Sequence, residues 1–103
     1  MKTPKKLGIL VSSEKHLDKI INLCEAAKEK GVVVTIFFTH RGTLLTQEPR
    51  FSELKGKARI SICRAAFENH GLKSPIERMD GKDFGTQARN AEMIEECDRY
   101  LVF

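Results

Sequence analysis

The sequence lacks the features that mark membrane spans and nucleic-acid grooves. It has no tryptophan and one tyrosine in 103 residues, and no apolar stretch approaches the roughly 18 residues needed to cross a bilayer. The formal charge is +4, but the basic residues are spread along the chain rather than gathered in a stripe with stacking aromatics. We therefore expect no membrane contact and no direct nucleic-acid binding, and the charge suits small anions or an acidic protein partner.

Several familiar site motifs are also missing. No Gly-x-Gly-x-x-Gly or Walker sequence follows the first predicted strand, which disfavours nucleotide folds of those types. There is no Cys-x-x-Cys, which removes a thioredoxin-type dithiol and the common zinc spacings, so we expect no metal and no organic cofactor. The three cysteines are odd in number and far apart, which favours a reduced, cytoplasmic protein over a disulfide framework.

Length and composition predict one globular domain over residues 1–103. Hydrophobic residues make up 41% of the chain and charged residues 31%, which is ordinary for a globular protein. Short apolar runs alternate with stretches of 3.6-residue periodicity, and the sequence therefore predicts an α/β fold: a three-layer parallel β-sheet flanked by helices. The predicted strands are Lys6–Ser12, Val32–Phe38, Ala58–Cys63 and Arg99–Phe103, and the predicted helices are a stripe from Leu17 to Ala27, Arg64–His70 and Thr86–Glu96.

Cys63 is the residue with the clearest chemical potential, because functional crevices of open α/β sheets lie beyond the carboxyl ends of the strands. It ends a predicted strand and directly precedes a predicted helix and Arg64, a setting that favours the thiolate. His40 and Arg41 follow the second strand at the same edge, where they could orient the thiol and bind an anion. The alternative is that Cys63 is a buried structural cysteine and that His40 and Arg41 are solvated surface residues. A buried structural role is the one predicted for Cys24 and Cys97.

The stretch Ile60-Ser-Ile-Cys-Arg-Ala-Ala-Phe-Glu-Asn-His-Gly-Leu72 resembles the DsrE/DsrF-like family, which includes the TusD and DsrE type of sulfur-relay subunit. In that family a strand is followed by a cysteine and a short alanine-containing helix that ends in glycine and an apolar residue. The opening strand and helix, and the closing segment Glu96–Phe103, are similar too. The resemblance thus covers nearly the whole chain, and its cysteine motif is the most specific part.

The resemblance implies a DsrE-like domain of flavodoxin- or Rossmann-like topology that assembles as a homotrimer or hexamer. It also implies that Cys63 accepts sulfur as a persulfide from a donor protein and passes it to an acceptor protein. The positions of the neighbouring residues, independent of the resemblance, predict that Arg64 and Arg41 stabilise the anionic sulfur and that His40 orients or deprotonates the thiol. The alternative is a non-catalytic oligomeric module that binds a small anion or nucleotide in the crevice at the strand carboxyl ends, with Cys63 merely packed.

Overall fold

Five parallel strands form the centre of the protein. The computed structural model describes residues 4–72, 79 and 81–103. Strands β1 (Lys6–Val11), β2 (Val33–Phe38), β3 (Arg59–Cys63), β4 (Phe84–Gly85) and β5 (Arg99–Val102) lie in the order β4-β3-β2-β1-β5. Every neighbouring pair is parallel, and the register places Ile9 beside Ile36 and Ile36 beside Ile60. The predicted α/β class, with one parallel sheet between helical layers, is confirmed.

The helices follow the predicted boundaries closely. They are α1 (Leu17–Glu29), α2 (Arg64–Asn69) and α3 (Gln87–Glu96), with 3₁₀ segments at His40–Gln47, Pro49–Leu54 and Gly81–Asp83. The apolar stripe predicted for α1 is buried, and the helix stops before Gly31, whose φ of +73° suits a residue without a side chain. The sequence predicts an extended segment with turns over residues 72–84. Residues 73–78 and 80 of that stretch lie outside the described residues, and Phe84 begins the short β4.

One face of the sheet, here called the packed face, carries the main core. Alternation along the strands places on it the side chains Ile9, Val11, Val34, Ile36, Phe38, Ile60 and Ile62. They are covered by α1, the first two 3₁₀ segments and α2, which contributes Phe67. Phe38 meets Phe51 edge to face, with ring centroids 5.2 Å apart. Because β-branched and aromatic side chains fill this layer, burial on the packed face supplies most of the apolar stabilisation.

The opposite face, here called the open face, is covered among the described residues by α3 alone. It carries Lys6, Gly8, Leu10, Val33, Thr35, Phe37, Arg59, Ser61 and Cys63. Phe37, Cys63 and Met93 form a small buried cluster there. The helix approaches closely at Gly8, where an added Cβ would lie 2.9 Å from the Met93 Cγ atom. Within the described residues, no helix is long and apolar enough to cross a membrane.

Candidate functional site

The helices that follow β3 and β4 lie on opposite faces of the sheet. The chain leaves β3 into α2, which packs on the packed face, whereas it leaves β4 into α3 on the open face. In the order β4-β3-β2-β1-β5 the strand order reverses between β1 and β5, so the topological switch point, the usual place for a ligand crevice in open parallel sheets, lies at that pair and not beside β3. Cys63 is the last residue of β3, and its register partner on β4 is Gly85. The predicted position of Cys63, at a strand end directly before a helix, is confirmed.

The Cys63 side chain is mostly enclosed. The residue is 7% exposed and packs with Phe37 and Met93, with Leu10 and Tyr100 at the edge of the same cluster. It belongs to the small core under α3 and does not line the groove described below. Little of the residue's surface therefore reaches solvent. The sequence did not reveal this, because Met93 is 30 residues further along the chain.

The helix and the arginine after Cys63 contribute less to the thiol than expected. Helix α2 has six residues, so few peptide dipoles are aligned behind its first turn, and the Cys63 side chain makes no capping hydrogen bond. The Arg64 guanidinium lies over the Phe84 ring, 4.7 Å from its centroid. Arg64 is therefore held toward β4 by a cation–π contact, and the rest of its side chain is exposed.

His40 and Arg41 have partners other than Cys63. His40 is exposed and has a positive φ of 48°, which is uncommon for a residue with a side chain, and its carbonyl oxygen accepts a hydrogen bond from the Thr43 hydroxyl at 2.8 Å. Arg41 donates from Nε to the Glu14 carboxylate at 3.0 Å and forms an ion pair with it through Nη2. No hydrogen bond or ion pair between described residues joins either of them to Cys63.

Other polar residues do meet at this edge of the sheet. The Gln87 amide donates to the Thr39 hydroxyl at 3.2 Å, which ties the start of α3 to the end of β2. The Thr86 hydroxyl caps α3 by accepting from the Ala88 N–H. Ser13 Oγ is buried and has no hydrogen-bond partner among the described residues. Thr86 before a helical stretch was a recognisable capping signal, whereas the Thr39–Gln87 contact joins residues too far apart in sequence to predict.

The other two cysteines differ sharply from each other. Cys24 lies fully buried in α1, as predicted, and burial raises the pKa of its thiol from 9.0 to about 11, partly offset by the nearby charge of Lys57. Cys97 follows α3 and is only half-buried, with its Sγ atom 3.1 Å from the position a Cβ on Gly8 would take. The expectation that Cys97 belongs to the core therefore holds for only part of its surface.

A groove on the open face was not expected from the sequence. It has a volume of about 670 Å³ and lies between α3 and the first halves of β1, β2 and β3. Thr35 and Ser61 lie on its sheet side, and Arg89, Glu92 and Glu96 lie on its helix side. A signal was present in the sequence, since polar residues at 35, 59 and 61 interrupt strands that would be continuously apolar if both faces were buried.

Metal ligation and similarity to known proteins add no further constraint. Within the described part of the chain, no group of three or more His, Cys, Asp or Glu side chains could hold a metal ion. A scan against protein-family models and a search of curated proteins gave no match to this sequence.

Proposed function

We propose that the chain is a small cytoplasmic sulfur carrier of the DsrE/DsrF-like type, with Cys63 as the sulfur acceptor. The Cys63 thiolate attacks the terminal sulfur of a donor persulfide, a new S–S bond forms at Cys63, and the donor leaves as a thiolate. A thiolate of the acceptor protein then attacks that terminal sulfur, and the Cys63 thiolate leaves. No net oxidation or reduction takes place, so neither step requires a redox cofactor.

The observation that carries this proposal is the place of Cys63 in the sheet. Of the three cysteines, it alone ends a strand, and ligands of open parallel sheets bind beyond the carboxyl ends of the strands. Its neighbour across the β3–β4 pair is Gly85, and the Arg89 side chain occupies the space beside this glycine, since an added Cβ there would lie 2.8 Å from Arg89 Nε. The supporting residues take a smaller part than their positions in the sequence suggest, because Arg41 is paired with Glu14 and Arg64 stacks on Phe84.

Burial of the thiol supports a second candidate from a different class. At 7% exposure Cys63 packs like a small core residue, and the unpartnered hydroxyl of Ser13 lies at the same edge of the sheet. A non-catalytic module that holds a small anion or nucleotide at this edge would use such hydroxyls and would need no reactive thiol. The two candidates differ in whether sulfur is ever bound covalently.

Mass spectrometry after incubation with a low-molecular-weight persulfide separates them. A carrier gains one sulfur atom, about 32 Da, that is lost on reduction. We expect this gain in the wild type and in Cys24→Ala and Cys97→Ala, and its loss in Cys63→Ala. Peptide mapping of the wild-type adduct gives the site without relying on the variant's folding. No adduct, or an adduct on Cys97 alone, overturns the assignment of Cys63 and favours the binding module.

We also propose that the functional form is a homo-oligomer, a trimer or hexamer, with a second copy against α3 and β5. Ile94 on α3 is 49% exposed, Val102 on β5 is 59% exposed, and β5 is an edge strand with an unpaired side. Burial of these side chains between copies would complete the layer that a single chain leaves thin. Light scattering at protein concentrations from about 1 to about 100 μM, a range that suits interfaces of moderate affinity, tests this oligomer. A stable monomer throughout that range overturns the proposal.

A further inference from the structure

The groove on the open face has a charged lining. Thr35 and Ser61 occupy positions on the sheet that face α3, and the side of α3 that borders the groove carries the half-buried Arg89 and the exposed Glu92 and Glu96 around the buried residue Met93. An inward-facing helix surface is ordinarily apolar, because it is there that a helix gains its stability by burial. Here the helix and the sheet instead border an open polar groove, whose volume of about 670 Å³ lies in the range of small-molecule sites.

The charges of the groove are separated by sign along α3. The helix runs from β4 to β5, so Arg89 near its start lies beside β3 and β4, while Glu96 at its end lies beside β1. Arg89 is fixed in place, since its Nη1 donates to Ser61 Oγ at 3.1 Å and to the Lys82 carbonyl oxygen at 2.9 Å. Arg59 lines the same end of the groove. The guanidinium groups of Arg59 and Arg89 therefore lie at the β3 end of the groove, and the Glu96 carboxylate lies at the β1 end together with Lys6.

These opposite charges do not neutralise one another. Among the described residues, no ion pair joins Arg59 or Arg89 to Glu92 or Glu96, and the one ion pair within the lining joins Lys55 to Asp83 at 3.8 Å. Among the described residues, no hydrogen-bond acceptor pairs with Arg89 Nε or Nη2. Lys6 also lines the β1 end, but no ion pair joins it to Glu96 in the described part of the chain. Charged donors and acceptors that are not paired with one another thus line one open groove.

We propose that this groove binds a small zwitterion of the amino-acid type. The ligand carboxylate is bound by the guanidinium groups of Arg59 and Arg89, which match it in planar geometry, and its ammonium group is bound by Glu92 and Glu96. Arg89 and Glu96 are seven residues apart, a rise of about 10 Å along the helix. With a hydrogen bond of about 3 Å at each end, the charged groups of the ligand are about 4–7 Å apart. The site is independent of Cys63.

The test is an NMR titration of the ¹⁵N-labelled full chain with three compounds of similar length. 5-Aminovalerate carries both charges, valerate only the carboxylate and pentylamine only the ammonium group. We expect saturable shifts in the amides of residues 59–61 and 89–97 with 5-aminovalerate, and binding at least about tenfold weaker with either analogue, because each lacks one set of charge-assisted hydrogen bonds. Equal binding of valerate, equal binding of pentylamine, or no saturable shift overturns the proposal.

Variants on one helix give a matched control. Glu95 and Glu96 are neighbours on α3, but only Glu96 lines the groove. We expect Glu96→Gln and Arg59→Gln each to weaken 5-aminovalerate binding about tenfold. We expect Glu95→Gln to leave it unchanged. Because these side chains are exposed or at the surface, all three variants should fold, as the wild-type spectrum outside the groove would show. An equal loss in Glu95→Gln and Glu96→Gln would mean general surface electrostatics and would overturn the proposal.

Discussion

The two faces of this sheet differ in how many side chains their covering helices bury. On the packed face, helix α1 buries five of its thirteen residues, whereas on the open face α3 buries one of its ten. The strands show the same contrast, since side chains facing α1 are aliphatic or aromatic and several of those facing α3 are polar or charged. Most of the apolar stabilisation therefore comes from the packed face. The open face and its edges carry the Cys63 thiol, the groove and the exposed apolar residues.

Equivalent substitutions in the two helices test this contrast with the largest expected effect. Ile20 in α1 is fully buried, and Ile94 in α3 is about half exposed. We expect Ile20→Ala to reduce the free energy of unfolding by about 2–5 kcal/mol, because it removes buried methyl groups and leaves a cavity. We expect Ile94→Ala in the monomer to change it by no more than about 0.5 kcal/mol. Urea denaturation measures both, and similar losses would contradict the contrast.

The sequence predicted the packed face well because its signals are local. The apolar stripe from Leu17 to Ala27 and the β-branched run before Phe38 each specify an element without reference to distant residues. The two-residue β4 carries no periodic signal and forms only because β3 lies beside it. In the same way, the position of Cys63 at a strand end was predictable from neighbouring residues, but its burial depends on Met93, which long-range folding brings to it.

Two glycines extend the comparison of the faces. A side chain added at Gly42 would meet backbone of the packed region, and one added at Gly8 would meet side chains on the open face. An added Cβ on Gly42 would lie 2.1 Å from the Val11 carbonyl oxygen, and one on Gly8 would meet the side chains of Met93 and Cys97. Backbone in the packed region cannot move aside cheaply, whereas α3 is held by few buried contacts. We expect Gly42→Ala to cost at least about 1–3 kcal/mol of unfolding free energy, and Gly8→Ala less than Gly42→Ala.

The glycine pair is measured by thermal and urea unfolding of both variants beside the wild type. An outcome in which Gly8→Ala is the more damaging would show that α3 is anchored as firmly as the packed layer. It would also mean that the open face cannot adjust to admit a ligand.

The pH dependence of stability tests whether the Cys24 thiol is buried on the packed face. Burial raises the pKa of this thiol to about 11, so between pH 9 and 11 the folded protein keeps a proton that the unfolded chain loses. The stabilisation that this thiol provides is thus complete below about pH 9 and declines as the pH rises toward 11. The advantage of the wild type over Cys24→Ala in urea denaturation should shrink across this window. A constant difference from pH 7 to pH 11 would contradict the burial of the thiol.

The smallest expected effect concerns the bond that holds α3 to the open face. Ser61→Ala removes the hydroxyl that accepts from Arg89 Nη1 at 3.1 Å, but the same guanidinium also donates to the Lys82 carbonyl oxygen and its end remains near water. A half-exposed hydrogen bond with a second acceptor contributes little, so we expect a loss of at most about 1 kcal/mol in unfolding free energy.

The buried Thr43 hydroxyl, which donates to the His40 carbonyl oxygen, provides the matched comparison on the packed side. Thr43→Ala should cost more than Ser61→Ala, because its site has no solvent to replace the lost hydroxyl. The reverse order would show that the open face depends on its polar contacts for folding rather than keeping them for a ligand.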